Sequence, residues 1–327
     1  MKQDTGWKIF LSDDERYADV INGIGCKGKQ VVKKEDLQEM DTQAGFLRSP
    51  RFIHRLAQLR QGNVKIRDCV RKVAFGTNFA IIGIENQETM DYSIPIRNMS
   101  YDVDAYEKQV AKIRKEVRKN RKGLSAGEYL YGFRESDKLS PAVTFILYSG
   151  PKSWKGPKSL HEILDFTDIP EEMRELIADY KINLVEIRKL EDTSVFKTDV
   201  RQVFDFIRCS NDKKALKELV ETDDYYKNME EDAFDVAVQY TNATELIEAK
   251  EYYEKGGAVD MCKALTELIE DGKQEGREEG REEGITLKLR ELVEKKMKKG
   301  HSIAEIADML EESEEKIKEI IDELEKE

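Results

Sequence analysis

Histidine and paired cysteine are what this 327-residue sequence has least of, and each shortage removes a class of chemistry. The three histidines, His54, His161 and His301, lie far apart, which leaves little material for a Ser-His-Asp triad or a His-based metal site. The four cysteines, Cys26, Cys69, Cys209 and Cys262, form neither a CxxC pair nor a Cys/His cluster. They read as free thiols rather than as a zinc site or a disulfide framework. No apolar run approaches the roughly 20 residues that cross a bilayer. The longest, AIIGI and AVTFILY, have the length of strands. The opening segment MKQDTGWKIFLSDDERYADV has no apolar stretch followed by small residues, so the expectation is a cytosolic protein without a membrane partner. Carboxylate chemistry remains.

Charge is abundant but uneven. The chain holds 55 basic and 67 acidic residues, a net −12. Residues 1–210 carry 36 basic and 32 acidic side chains, and the remainder 19 and 35, so a mildly basic part precedes a strongly acidic one. Between Thr42 and Ile84 the only acid is Asp68, amid Arg48, Arg51, Arg55, Arg60, Lys65, Arg67, Arg71 and Lys72. A second basic run extends from Lys108 through Lys112, Lys115 and Lys119 to Lys122. Such runs are either solvated helix faces or phosphate-binding surfaces.

Apolar periodicity predicts a helix over 13–25, with Tyr17, Val20, Ile21 and Ile24 on one face and Asp19 beside them. Two extended runs, 64–75 and 79–87, flank Gly76 and Thr77 as a hairpin. A helix follows over 96–122, with Ile96, Met99, Tyr106, Val110, Ile113 and Val117 as its apolar side and Tyr101 and Tyr106 as core residues. Strands are expected over 141–150 and 182–190. This order implies an α/β fold, a mixed sheet flanked by helices over residues 1–210. Beyond it every signal is helical: an extension over 211–271, a repeat over 272–285 and a small acidic tail over 286–327. The repeat places Gly272, Gly276, Gly280 and Gly284 four residues apart, which suits close helix pairing or a frayed charged spacer. Ser302 and Glu305 form a capping box, and Ser313 begins the last helix. Three helices in this order mimic a helix-turn-helix, but the last two are acidic and phosphate would repel them.

The hairpin gathers the chemistry. A two-residue loop puts Phe75 opposite Asn78 and Asp68 opposite Glu85, so both carboxylates share a face with Val64, Ile66, Val70, Ile81 and Gly83. Like charges on an apolar face need a proton or a cation between them, and a hard divalent ion takes oxygen ligands. The alternative is that Asp68 pairs with a neighbouring arginine.

Asp68 followed by Ile84-Glu85-Asn86-Gln87 resembles the D…ExQ form of the PD-(D/E)XK nuclease motif. With YADVINGI, PIRNMSYDVDAY, the stretch from YLYGF to TFILYSGPKSW, and DYKINL in order, the chain is similar to the Rpn family of recombination-promoting nucleases and transposase-like proteins over most of residues 10–210. The resemblance implies a PD-(D/E)XK core hydrolysing DNA phosphodiesters with Mg²⁺ or Mn²⁺. Asp68 and Glu85 would hold the metal, helped by the Asn86 carbonyl, Gln87 would stand in the lysine's place, and Asp19 would lie near. Arg67, Arg71 and Lys72, taken to face away from Asp68, would contact DNA together with Lys108, Lys112, Lys115 and Lys119. Glutamine can orient water but brings no positive charge. The helical C-terminal part is expected to form homo-oligomers. Two rivals are a catalytically weak or inactive DNA-binding module derived from a nuclease and a helical scaffold with an α/β remnant.

Overall fold

The computed structural model describes residues 3–40, 69–240 and 244–324. The chain divides into two compact units, Met1–Cys262 and Lys263–Glu327. In the first, α1 (Gln3–Phe10) leads to α2 (Asp14–Val20), which continues as one π turn, Ile21–Gly25. Asp13 starts α2 by accepting a hydrogen bond from the Arg16 N–H. Five strands follow: β1 (Leu37–Glu39), β2 (Cys69–Phe75), β3 (Asn78–Gln87), β4 (Ala142–Tyr148) and β5 (Asn183–Glu186). They lie side by side in chain order. The first two pairings are antiparallel and the last two parallel, so the sheet is mixed.

The expected hairpin is present. Phe75 faces Asn78 and Cys69 faces Ile84, the register that a Gly76-Thr77 loop dictates. Gly76 has φ 62°, a conformation glycine adopts without strain at the first position of a tight hairpin loop. Asp68 and Arg67 lie outside the described residues.

Parallel β3 and β4 require a crossover, which α3 (Ile94–Lys119) and the short α4 (Ala126–Tyr131) supply. Pro95 sits in the first turn of α3, and Arg118 and Lys119 complement its C-terminal dipole. Its buried face matches the expected one only in part: Val117 is buried as expected, but the first half of the helix is turned differently. Ile94, Asn98, Tyr101, Asp102 and Ala105 point inward, whereas Ile96 is exposed. The polar Asn98 and Asp102 break the apolar stripe that the sequence pattern needs. Tyr101 is buried, and the Tyr106 hydroxyl accepts a hydrogen bond from the Ala142 N–H.

The helices α5 (Glu171–Glu175), α6 (Val200–Cys209), α7 (Lys213–Thr222), α8 (Glu231–Val238) and α9 (Thr244–Tyr253) complete the unit's larger elements. The region beyond 211 is not purely helical as the sequence suggested. It also contains β6 (Met229–Glu230), β7 (Glu254–Lys255) and β8 (Ala258–Val259), paired in the order β6-β8-β7. Strands of two residues are too short to show alternation.

Two aromatic residues of the N-terminal helices, Trp7 and Phe10, pack edge to face, and Trp7 also meets Phe204 of α6. Arg16 joins the same region electrostatically. It donates to Asp199, Glu230 and Asp232 while its guanidinium lies 4.3 Å from the Phe10 ring. Burial alone would lower its pKa, but the hydrogen bonds to Asp199 and Asp232 raise it well above the usual arginine value.

In the second unit, α10 (Met261–Met297), α11 (Ile303–Leu310) and α12 (Glu314–Leu324) share a core of Leu289, Val293, Ile306, Ile317 and Ile320. The Ser302–Glu305 capping box and the Ser313 cap are formed. All four glycines of the repeat lie inside α10, and a methyl group at any of them would meet open space.

Candidate functional site

The sheet separates the expected site residues. On one face, the Tyr17 hydroxyl of α2 donates to the Ile82 carbonyl at 2.7 Å, and the Arg71 guanidinium lies 5.2 Å from the Tyr17 ring. On the other, Ala105 of α3 packs with Val70 and Ile81. Residue alternation from Ile81 carries the side chains of Glu85 and Gln87 to the α3 face.

Glu85 is buried near the end of β3, with Arg97 Nη2 of α3 lying 2.7 Å from its Oε1. The same guanidinium donates to Gln87 Oε1, and its Nη1 reaches Asp91 Oδ2 at 3.0 Å. The Gln87 amide in turn donates to the Thr89 carbonyl, so the glutamine is fixed at both ends. Asp91 also accepts from the Ser93 N–H and hydroxyl at the start of α3, which ties the helix entry to the cluster. One planar cation therefore orients two carboxylates and an amide, which suits the multiple donors of arginine.

A second polar group lies on the same sheet face. Thr144 and Ile146 of β4, the partners of Gly83 and Glu85, are two residues apart. Asp102 Oδ1 accepts from the Thr144 hydroxyl at 3.0 Å, and its Oδ2 from the Tyr180 hydroxyl at 2.6 Å. Asn98 donates to the Tyr180 hydroxyl at 2.7 Å. Sequence reasoning missed Arg97, Asn98 and Asp102. Their signal was polar side chains spaced one and two turns along α3, on the face that had to meet the sheet.

Asp19 does not join Glu85. Its Oδ2 accepts from the Lys197 and Thr198 N–H groups and from the Thr198 hydroxyl, each at 2.7 Å. It therefore secures the segment entering α6. The Asn86 side chain lies near Tyr240 and Ser149, away from Arg97.

The expected DNA-contacting cations occupy different settings. Arg71 is buried, donates to Asp14 at 3.1 Å and to the Ser12 carbonyl at 3.2 Å, and so braces the sheet against α2. Lys72 does not share its face. Paired with Ile81, its ammonium lies 3.7 Å from the Phe79 ring on the Glu85 side, because adjacent strand residues point to opposite faces. Lys108 pairs with Asp104, and Lys119 with Glu116. Lys112 and Lys115 are exposed.

The donors around Glu85 are oxygens of the kind Mg²⁺ prefers, but the two carboxylates there, Glu85 and Asp91, are both held by Arg97. Among the described residues, no group of three or more His, Cys, Asp or Glu is arranged to hold a metal ion. Among the described residues, no helix is long and apolar enough to cross a membrane.

Comparison with known proteins gives one assignment. A family model described as "Putative transposase, YhgA-like" matches residues 70–233, half of the chain, and agrees with the resemblance read from the motifs. That span contains Glu85, Gln87, Arg97 and Asp102. No curated protein and no solved structure matches the chain.

Proposed function

Because the chain belongs to the YhgA-like transposase family, we propose that it is a metal-dependent endonuclease hydrolysing DNA phosphodiester bonds with little sequence preference, in recombination or mobile-element activity. The observation that carries this reading is the buried Glu85, held by Arg97 at the end of the hairpin strand. In this reading the sheet is the core of a PD-(D/E)XK nuclease.

Asp68 and Glu85 would hold Mg²⁺ or Mn²⁺, with the Asn86 carbonyl as a further oxygen donor. The metal would supply an activated water and stabilise charge on the phosphate. The protein's own groups do the rest. Arg97 orients the Glu85 carboxylate and places positive charge beside Gln87, where the common motif has a lysine. Gln87, fixed by Arg97 and Thr89, offers a rigid amide for orienting water. Exposed Lys112 and Lys115 attract the DNA backbone without reading bases.

The same ion pair favours a second reading. Arg97 neutralises Glu85 without any metal, as a nuclease-derived DNA-binding module would require. Nicking of supercoiled plasmid in Mg²⁺, Mn²⁺, Ca²⁺ or EDTA separates the two. Metal-dependent nicking by the wild type, lost in Asp68→Ala and in Glu85→Ala, supports the nuclease. Equal background in all three proteins, with DNA binding retained, supports the module.

A further inference from the structure

The C-terminal end of α3 carries more positive charge than its acidic neighbours offset, even with Lys108 paired to Asp104 and Lys119 to Glu116. Residues 108–122 include eight Lys and Arg but one acid, Glu116. Immediately afterwards the chain turns back through α4, whose start is fixed by a capping box between Ser125 and Glu128. Its end is fixed by Gly132, which has φ 66° and leaves the Tyr131 carbonyl to accept from Arg114 Nε at 3.1 Å. The two helices enclose a groove of about 340 Å³ lined by Arg114, Arg118, Arg121, Tyr129, Leu130 and Tyr131.

The three α4 side chains are 58%, 73% and 67% exposed. Apolar and aromatic groups gathered in this way on a surface mark a binding site more often than scattered exposure does. The Arg121 guanidinium lies 5.1 Å from the Tyr129 ring and donates to its hydroxyl at 2.9 Å, so that ring is already held in place. Flat rings among guanidinium groups suit an unpaired polynucleotide, whose bases stack on the rings while its phosphates meet the cations. A duplex keeps its base faces stacked internally and would use the cations alone.

We propose that this groove binds single-stranded DNA, with bases stacked on Tyr129 and Tyr131 and phosphates held by Arg114, Arg118 and Arg121. The choice of DNA rests on the function proposed above. The preference for an unpaired strand rests on the exposed rings. Arg97 and Arg114 are separated by about 25 Å along α3, from a rise of roughly 1.5 Å per residue. A strand in the groove would therefore lie well away from Glu85. The proposed substrate class is DNA with a duplex–single-strand junction, such as a flap or branch.

The test is fluorescence anisotropy of the full chain in EDTA, using labelled oligo-dT of about 20 nucleotides, a duplex of equal length and oligo-U. Wild type is expected to bind oligo-dT more tightly than either competitor. The Tyr129→Ala/Tyr131→Ala variant should lose about 10-fold or more for oligo-dT and under about 2-fold for duplex, since stacking is read only by unpaired bases. Tyr129→Phe/Tyr131→Phe should keep the preference, and Arg118→Glu should weaken oligo-dT binding without touching the rings. Equal losses for both DNAs, no loss in the alanine or Arg118→Glu variants, or tighter binding of oligo-U would each overturn the proposal. Because no metal is present, this outcome is independent of cleavage. Failure of the plasmid assay would remove the nuclease and leave the groove standing.

Discussion

Arg97 Nη2 lies 2.7 Å from Glu85 Oε1 and hydrogen-bonds Gln87 as well, so a single helix side chain binds both polar residues at the end of β3. Replacing it with alanine removes the positive partner of a buried carboxylate. We expect Arg97→Ala to lose about 3 kcal/mol in urea unfolding, because breaking one side of a buried pair leaves the other charge uncompensated. Arg97→Lys should lose less, since it keeps the charge but not the planar fork. Under the proposed mechanism, plasmid nicking by Arg97→Ala should fall about 100-fold. An alanine variant as stable as wild type would show that Glu85 needs no cation.

Arg16 tests a different junction. It donates to Asp199, Glu230 and Asp232, and Asp199 also accepts from the Tyr225 hydroxyl at 2.7 Å. Burial, followed by the neighbouring Asp199 charge, pushes the Tyr225 pKa far up. Arg16→Ala leaves these carboxylates without their shared cation and should cost about 3–5 kcal/mol in chemical denaturation. A loss under about 1 kcal/mol would place the network among exposed pairs.

Glu186 gives a pH dependence. Burial acts to raise its pKa, but hydrogen bonds from Lys189 and the Trp154 N–H outweigh this and leave it below the usual glutamate value of 4.5. A carboxylate whose folded pKa is depressed contributes stability that is fully present above its unfolded value and lost as pH falls through the folded one. Stability measured at several pH values should therefore separate wild type from Glu186→Gln near neutrality, the gap closing only as pH falls through the folded pKa, which lies below 4.5. A gap that persists in acid would assign the difference to packing.

The repeat glycines should be replaceable. Gly276→Ala and Gly280→Ala place a methyl in open space within a continuous helix, and each should add about 0.5–1 kcal/mol of helix stability. Circular dichroism would report this as greater helicity, and sedimentation would report any change in association state. Dissociation of an oligomer by these substitutions would identify the glycines as a close-approach face between copies.

The hairpin was legible because a two-residue loop and period-two alternation jointly fix its register, and the structure has Phe75 and Asn78 opposed as the sequence required. The tail caps were legible for a similar local reason. The partner of Glu85 was not. Arg97 is close to Glu85 because α3 begins shortly after β3 ends and its first turn folds back over that end of the sheet, and nothing local marks it out among many arginines. Asp19 and Glu85 looked compatible because sequence order does not say which face of the sheet a helix will cover. The rotation of α3 had a third cause: Asn98 and Asp102 satisfy their polar groups inside, with Tyr180 and Thr144, and so occupy positions that a pattern of apolar residues assigns to solvent.

The two lateral strands of the main sheet, β1 and β5, have three and four residues, whereas β2 and β3 between them have seven and ten. Long stretches of backbone are thus kept inside the sheet, and its described margins offer only short templates. This guards against runaway strand-to-strand aggregation. Among the described residues, the larger surfaces open to an ordered assembly are therefore side chains on helices, where specificity is easier to encode than along a row of peptide groups.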